Sequence, residues 1–457
     1  MRRPSIRSLA GGAAGIAAGV VAGIGLSLIS AASSAPSPAT PAVLDAAHVP
    51  PLLTVPGERV RLRFAIVCDP RPDGEPCQGS GDVYARAGQS GPFQRFALQR
   101  GDESIAGRYF LDLPAELAAS PDGFSYYAVL RDDDSGATTT VPSGGATAPH
   151  RSFPLQRNGT IALGAHAFGS VRRPEARVVE AAWGSGIGEL GLAGSRELGF
   201  VGPSSFDVGE TGAVTVLDEV NGRVQRWSRG RPAVTAVDVS GGLADLTIEP
   251  DGSIDVLEPP SRATPAPTLR SFRADGTHRW TQRLSDRTWA KLGAGPVGPV
   301  ALQQPSEQWL PLAVSGAALR RSEQAERGRP GQPVATGREV LVDRVGAGEL
   351  RLAELAGNAV VRSWRITSAT PLGEVQLAEP LRNGLVVVVK TYTDERGEFL
   401  VLVLERDRID EQFSVDAAQW AESAPLARFR LVGARLYHLG STASGAFVDR
   451  FDLEVSR

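Results

Sequence analysis

Apolar and polar positions alternate in short bursts along most of this chain, the period-two pattern of half-buried strands rather than helices. The clearest stretch is Val201 to Gly230. Phe206 and Val208 share one side of a first strand, Val214 and Val216 one side of a second, and Arg223 to Trp227 forms a third. Gly209 to Gly212 reads as the first turn, because glycine takes the positive φ that other residues avoid. Asn221-Gly222 is a two-residue hairpin signal for the second.

The same alternation divides the chain in two. From Gly57 to Leu155 it marks a strand through Val60, Leu62, Phe64 and Ile66, then DVYARA, FQRFAL, RYFLDL, FSYYAVLR, ATTTV and RSFPL. About seven short strands in about 100 residues predict a two-sheet β-sandwich over residues 57–157. Beyond residue 159 the order changes. Residues 206–218, FDVGETGAVTVLD, align without a gap at an offset of 40 with residues 246–258, LTIEPDGSIDVLE, and Gly212, Val216 and Leu217 match Gly252, Val256 and Leu257. A 40-residue period of strands is the spacing of propeller blades. Within residues 160–457, roughly 280 residues at ~40 to 45 per blade make about six. Continuous apolar runs such as GLVVVVKTY and EFLVLVLE suit sheets covered on both faces by neighbours. The expected fold is all-β, an N-terminal β-sandwich followed by a β-propeller of about six blades. Residues 293–337 are less regular and read as an exposed insertion.

Two resemblances accompany this pattern. FSYYAVLRDDDSGATTTVP is similar to immunoglobulin-like or fibronectin-like modules. Trp183-Gly-Ser-Gly, GPSSFDV, Gly212, VLD and Asn221-x-Arg223-Val224 ending in Trp227 resemble one copy of the NHL repeat, over residues 183–230 and again over 244–280, with Gly222 where that family has histidine. The resemblance implies a propeller of NHL blades. Such propellers include RNA-binding and lyase members, so it does not choose an activity.

The first residues change the picture of location. Arg2, Arg3 and Arg7 precede an uncharged small and apolar run from Leu9 to Ile29 and then SAASSAPSPA, the order of a secretory signal. Residues 1–35 are therefore expected to be a signal peptide or an N-terminal membrane anchor, with membrane association through residues 9–32. Gly11, Gly15, Gly19 and Gly23 would line one face of such a helix. Residues 36–56, rich in Ala and Pro, read as an exposed linker. Export makes Cys68 and Cys77, the two cysteines of the chain, one expected disulfide.

Composition narrows the chemistry. The chain has 457 residues, 42% of them hydrophobic, enough for two or three cores. A net charge of -3 gives no general attraction to nucleic acid, so no nucleic-acid partner is expected. Lys291 and Lys390 are the only lysines among 48 basic side chains, which fits a GC-rich bacterial genome.

Five histidines, His48, His150, His166, His278 and His438, are scattered without metal-ligand spacing. Gly184 to Gly191, GSGIGELG, lacks the helix a dinucleotide loop needs and reads as an inter-blade connection. Asp132, Asp133 and Asp134 at a hairpin tip read as solvated carboxylates, with calcium the alternative. Asp218, Asn221 and Arg223 are the most distinctive polar set, read either as turn chemistry or as a ligand-facing turn. No catalytic, cofactor-binding or metal residue is assigned, and no cofactor. The expectation is an exported, non-catalytic binding or scaffold protein whose partner is an extracellular protein or glycan. The alternative is a metal-assisted lyase or hydrolase with its site in the propeller channel, marked by histidines and carboxylates converging there.

Overall fold

The computed structural model describes residues 44–457 except 69–78, 102–107, 157–159, 196, 198, 238, 240–243, 262–265, 285–288, 296–297, 304–307, 313–330, 335–336, 383, 419, 422–425 and 455–457. Residues 1–35, expected to be a signal or anchor, lie outside the described residues, as does Cys77 of the expected disulfide. Cys68 ends a strand, and its side chain is likewise not described.

The N-terminal strands form two sheets. One holds Leu44–His48, Arg61–Cys68, Arg108–Asp112 and Gln99–Arg100; the other holds Leu53–Thr54, His150–Pro154, Phe124–Asp132, Gly79–Ala87 and Gln94–Ala97, with Thr138–Val141 also on Phe124–Asp132. Leu62, Phe64 and Ile66 from the first sheet meet Val83, Ala85, Tyr126, Ala128 and Leu130 from the second. Along Arg61–Cys68, Gly79–Ala87 and Phe124–Asp132 these apolar residues fall at alternate positions and point inward.

Residues 36–56 need a correction. Leu44–His48 pairs along Arg61–Cys68, and Leu53–Thr54 pairs parallel to His150–Pro154, so the end of the expected linker is built into the sandwich. Its Ala-rich composition suggests exposure, but His48, Leu52 and Leu53 are buried. What fixes this segment is pairing with distant strands, which composition does not record.

Among the described residues the rest of the chain forms six largely antiparallel sheets arranged as blades, with a separate two-stranded hairpin of Ala193–Ser195 and Gly199–Val201. Blade 1 has Ser205–Val208, Val214–Asp218, Arg223–Ser228 and Arg231–Ala236 in that order. Blade 2 repeats it with Asp245–Ile248, Ile254–Glu258, Thr268–Phe272 and His278–Arg283. Blade 3 has Trp289–Gly295, Gly298–Gln303 and Gln308–Pro311. Blade 4 runs Gln332–Pro333, Arg338–Arg344, Glu349–Ala356 and Ala359–Thr367, extended by Thr160–Ala162 in parallel. Blade 5 has Leu372–Leu381, Gly384–Tyr392, Gly397–Glu405 and Arg408–Asp416. Blade 6 has Phe429–Val432, Arg435–Thr442 and Gly445–Asp452, and its outer strand is Ala176–Ala182 from the start of the ring.

That last pairing sews the two ends of the ring into one sheet. Leading strands of successive blades lie side by side, blade 6 beside 1, 1 beside 2, 2 beside 3 and 5 beside 6. Faces pack accordingly. In Gly384–Tyr392, Leu385, Val387 and Val389 meet Leu350 and Leu352 of blade 4, while Val386 and Val388 meet Phe429, Leu436 and Phe451 of blade 6. A continuous apolar run is what a strand covered on both faces requires.

The Asn221-Gly222 turn is longer than the two-residue hairpin its sequence signals. Asp218 pairs with Arg223, so four residues form the loop, and Gly222 supplies its left-handed step at φ 62°.

Sandwich and propeller share a core seam of Leu52, Leu53, Phe153 and Leu155 against Leu341, Ala353 and Leu355. Asp343 accepts from the backbone N–H of Leu52 at 3.0 Å and Leu53 at 2.9 Å, and Arg351 grips Glu58 through both terminal nitrogens at 2.6 and 2.7 Å. Residues 43–457 form one compact unit.

Candidate functional site

The residues singled out in the sequence come together as a clasp. Asp218 is 1% exposed and accepts from Gly191 N at 2.8 Å, Asn221 Nδ2 at 2.9 Å and Arg223 Nε at 2.8 Å. The Arg223 guanidinium donates onward to the carbonyls of Ser185, Gly186 and Glu189. The GSGIGELG segment is thus fastened to blade 1 by a planar fork of donors, a geometry lysine does not offer. Both carboxylate oxygens of Asp218, the Asn221 amide nitrogen and the Arg223 guanidinium are bonded within the chain itself.

Two of the hairpin aspartates also accept from the chain, although Asp132 Oδ1 is buried without a partner. Asp132 is buried and accepts from Ser135 N and Oγ, and Asp133 accepts from Ser80 Oγ at 2.6 Å. Among the described residues no three His, Cys, Asp or Glu side chains converge as a metal-holding set.

The histidines take separate places. His48 and His150 lie in the sandwich, 5.3 Å apart between ring centres. His166 meets Glu398 at 2.8 Å and holds the connecting segment to blade 5. His278 is exposed on the outer strand of blade 2, and His438 is stacked on Phe429 between blades 5 and 6.

Charges that sequence reasoning missed gather on the leading strands, which border the axis of the ring. Arg430 of blade 6 donates to Phe206 O of blade 1 at 3.0 Å and Leu246 O of blade 2 at 3.1 Å, and lies 3.4 Å from Asp207. Asp207 in turn accepts from Ile248 N at 2.7 Å and Thr247 Oγ1 at 3.3 Å. One guanidinium and one carboxylate therefore tie three blades at the axis. Further along, Lys291 of blade 3 and Glu374 of blade 5 approach to 3.6 Å.

Glu379 of blade 5 stands apart from these pairs. It has no hydrogen-bond partner among the described residues and retains some accessible surface. Burial pushes its carboxyl up to about 7; Arg430 opposes the rise and Asp207 adds to it. The axis thus holds a carboxyl raised by burial beside a satisfied arginine–aspartate pair. The available signal was a single acid at an otherwise apolar register, Asp207 between Phe206 and Val208 and Glu379 after Leu377 and Ala378.

The fold defined by these sheets is a β-sandwich joined to a β-propeller of about six blades. No family model matches the chain, and no curated protein sequence matches it. Among solved structures it is similar to virginiamycin B lyase from Staphylococcus aureus, at 10% identity and a TM-score of 0.33 over 55% of this chain and 95% of that one. A catalytically inactive form of that lyase bound to quinupristin gives 11% and 0.31 over 54% and 94%. A eukaryotic initiation factor gives 10% and 0.25 over 82% and 97%. Likeness at this level carries no activity to this chain, and the architecture rests on its own sheet order.

Proposed function

We propose that this chain is an exported bacterial binding or scaffold protein acting at the cell surface or outside the cell. In this reading its sandwich is immunoglobulin-like, its blades are NHL-like, and it does no chemistry of its own. Its partner is an extracellular protein or glycan presenting a cationic group or hydrogen-bond donors to the axis of the ring. The observation that carries the reading is Glu379, an axial carboxyl without a hydrogen-bond partner among the described residues, beside Arg430 and Asp207, which are committed to holding blades. A rigid ring presenting one uncommitted acid suits binding, since its contacts are preorganised. The arginine-flanked apolar run at residues 9–29 supports export.

The metal-assisted lyase or hydrolase alternative looked for histidines among axial carboxylates. All five histidines stand elsewhere, so no observation favours it.

The test is direct binding. Arrayed envelope glycans and lysine-rich or arginine-rich surface peptides are titrated with the wild-type protein and with Glu379→Gln. Saturable binding that is lost in the variant supports the axial site; binding indifferent to position 379 overturns it. Fractionation of the native cell, with the chain in the envelope or medium, tests export separately.

A further inference from the structure

Blade 2 carries a row of polar side chains that its packing does not explain. Thr247, Asp255, Ser271 and Trp280 are successive cross-strand partners from the inner strand to the outer. Ile254, Val256 and Phe272, at the alternate positions, pack toward Leu217 and Val224 of blade 1. Leu257, Leu269 and Trp280 pack toward Leu292 and Ala301 of blade 3. By the same parity Asp255 and Ser271 face blade 3.

Four polar atoms on this side are buried without a hydrogen-bond partner: Asp255 Oδ1, Ser271 Oγ, Trp280 Nε1 and Glu249 Oε1. Asp255 is 1% exposed and Ser271 fully buried. Buried polar groups are nearly always satisfied, so four orphans along one face of the sheet call for a missing partner. The nearby cation makes no hydrogen bond to them: Arg279 donates to Ser253 Oγ at 2.7 Å and lies 3.9 Å from Asp251, and only its field reaches Asp255 and Glu249. Burial raises both carboxyls, Asp255 to about 6 against the opposing pull of the neighbouring Ser271 hydroxyl and Arg279, and Glu249 to about 7 with the charges of Asp255, Asp251 and Asp207 adding to the rise.

Water alone would bridge these atoms but would leave the charge of buried Asp255 beside that of half-buried Glu249. A cation turns that repulsion into binding. The donors are all oxygen, two carboxyls and a hydroxyl, with no imidazole or thiolate, which selects a hard ion. Magnesium demands near-ideal octahedral geometry, whereas calcium accepts an irregular set completed by water. The indole N–H has no lone pair for a metal, and a metal-bound water gives it an acceptor.

We propose that blade 2 holds a calcium ion between Glu249, Asp255 and Ser271, with a coordinated water linking it to Trp280. The site is separate from Glu379 and does not depend on the axial reading.

The indole beside the site supplies the test. Terbium, which replaces calcium, is titrated into the full-length protein with tryptophan excitation, and melting is followed with and without excess calcium. The expected results are sensitised emission that calcium displaces, and a calcium-dependent rise in melting temperature. Asp255→Asn and Glu249→Gln should each weaken both roughly tenfold or more, since each removes a charged ligand. Trp280→Phe should dim the emission while leaving the calcium-dependent rise in place. The proposal is overturned if calcium leaves wild-type melting unchanged. It is equally overturned if both carboxylate variants respond to calcium as the wild type does, which would locate the ion elsewhere.

Discussion

Tyr126 donates its hydroxyl hydrogen to His48 Nε2 across 2.7 Å, and that contact fixes the protonation of the sandwich core. A carbonyl only accepts, so the 2.6 Å contact of His48 Nδ1 with Arg63 O places the ring hydrogen on Nδ1. Burial keeps the ring neutral at pH 7, so Nε2 is the acceptor. Beside it His150 is buried with neither nitrogen partnered.

Acid lability follows from this pair. Burial lowers His48 to about 4, and burial with the neighbouring His48 lowers His150 to about 3, both below the ordinary 6.5. For a histidine whose folded pKa is depressed, the contribution to stability is complete above 6.5. It declines as pH falls from there toward 4 and 3, because the unfolded chain takes up the protons first. The loss between pH 7 and pH 4 should be on the order of 3 kcal/mol for each of the two histidines. Denaturant unfolding at stepped pH measures it, and His150→Phe should flatten the slope. An unchanged slope in that variant would place the acid sensitivity elsewhere.

The Asp218–Arg223 clasp should behave as structure rather than as a binding surface. Arg223→Ala leaves a carboxylate at 1% exposure without its cation and frees three carbonyls, an expected loss of about 3 kcal/mol. Arg223→Lys should recover little of it, since an ammonium cannot serve Asp218 and the Ser185, Gly186 and Glu189 carbonyls together. Chemical denaturation of both variants is the measurement. A lysine variant as stable as the wild type would contradict the fork argument.

Much of this architecture is legible in the chain because it is local. The FDV and VLD segments at residues 206–218, their echo 40 residues on, and the run at Leu385–Val389 carry strand pattern, turn and blade period within themselves. What escapes depends on distant pairing. Nothing in LDAAH announces a strand until Arg61–Cys68 lies beside it, and Asp343 gains its role from backbone N–H groups 290 and 291 positions away. The axial set is hidden for the same reason: Arg430 reaches Phe206 and Leu246 only once the ring has closed through Ala176–Ala182. Asp218 shows the converse, a residue conspicuous in sequence whose partners are all internal.

Glu219, next to the clasp, should be a point of avoidable instability. It is 4% exposed, Oε1 has no partner, and burial raises its carboxyl to about 8 despite hydrogen bonds from the Ser204 and Glu219 backbone region. For an acid whose folded pKa is raised, stability is fullest below the unfolded value near 4.5 and declines as pH climbs toward 8. Glu219→Gln keeps the shape and removes the proton requirement. It should stabilise the fold at pH 7 by on the order of 2 kcal/mol and do little at pH 4. Melting temperatures at the two pH values check this, and equal gains at both would refute the protonation argument.

Glu379 tests whether stability and binding can be separated at the axis. Its carboxyl is raised to about 7, so its contribution to stability falls as pH rises from about 4.5 through 7. Glu379→Gln should therefore be no less stable than the wild type at neutral pH, and more stable above it. Arg430→Gln is expected to act in the opposite way, because it severs the ties to Phe206 and Leu246 and leaves Asp207 without its cation. If Glu379 is held in place for a ligand, its variant should lose binding while gaining stability, the trade expected where a site retains an unsatisfied group. Melting curves from pH 5 to 9, taken alongside the ligand titrations, separate the two effects. A Glu379→Gln protein that loses both stability and binding would make this carboxyl a structural element of the ring, and the axial site would have to be abandoned.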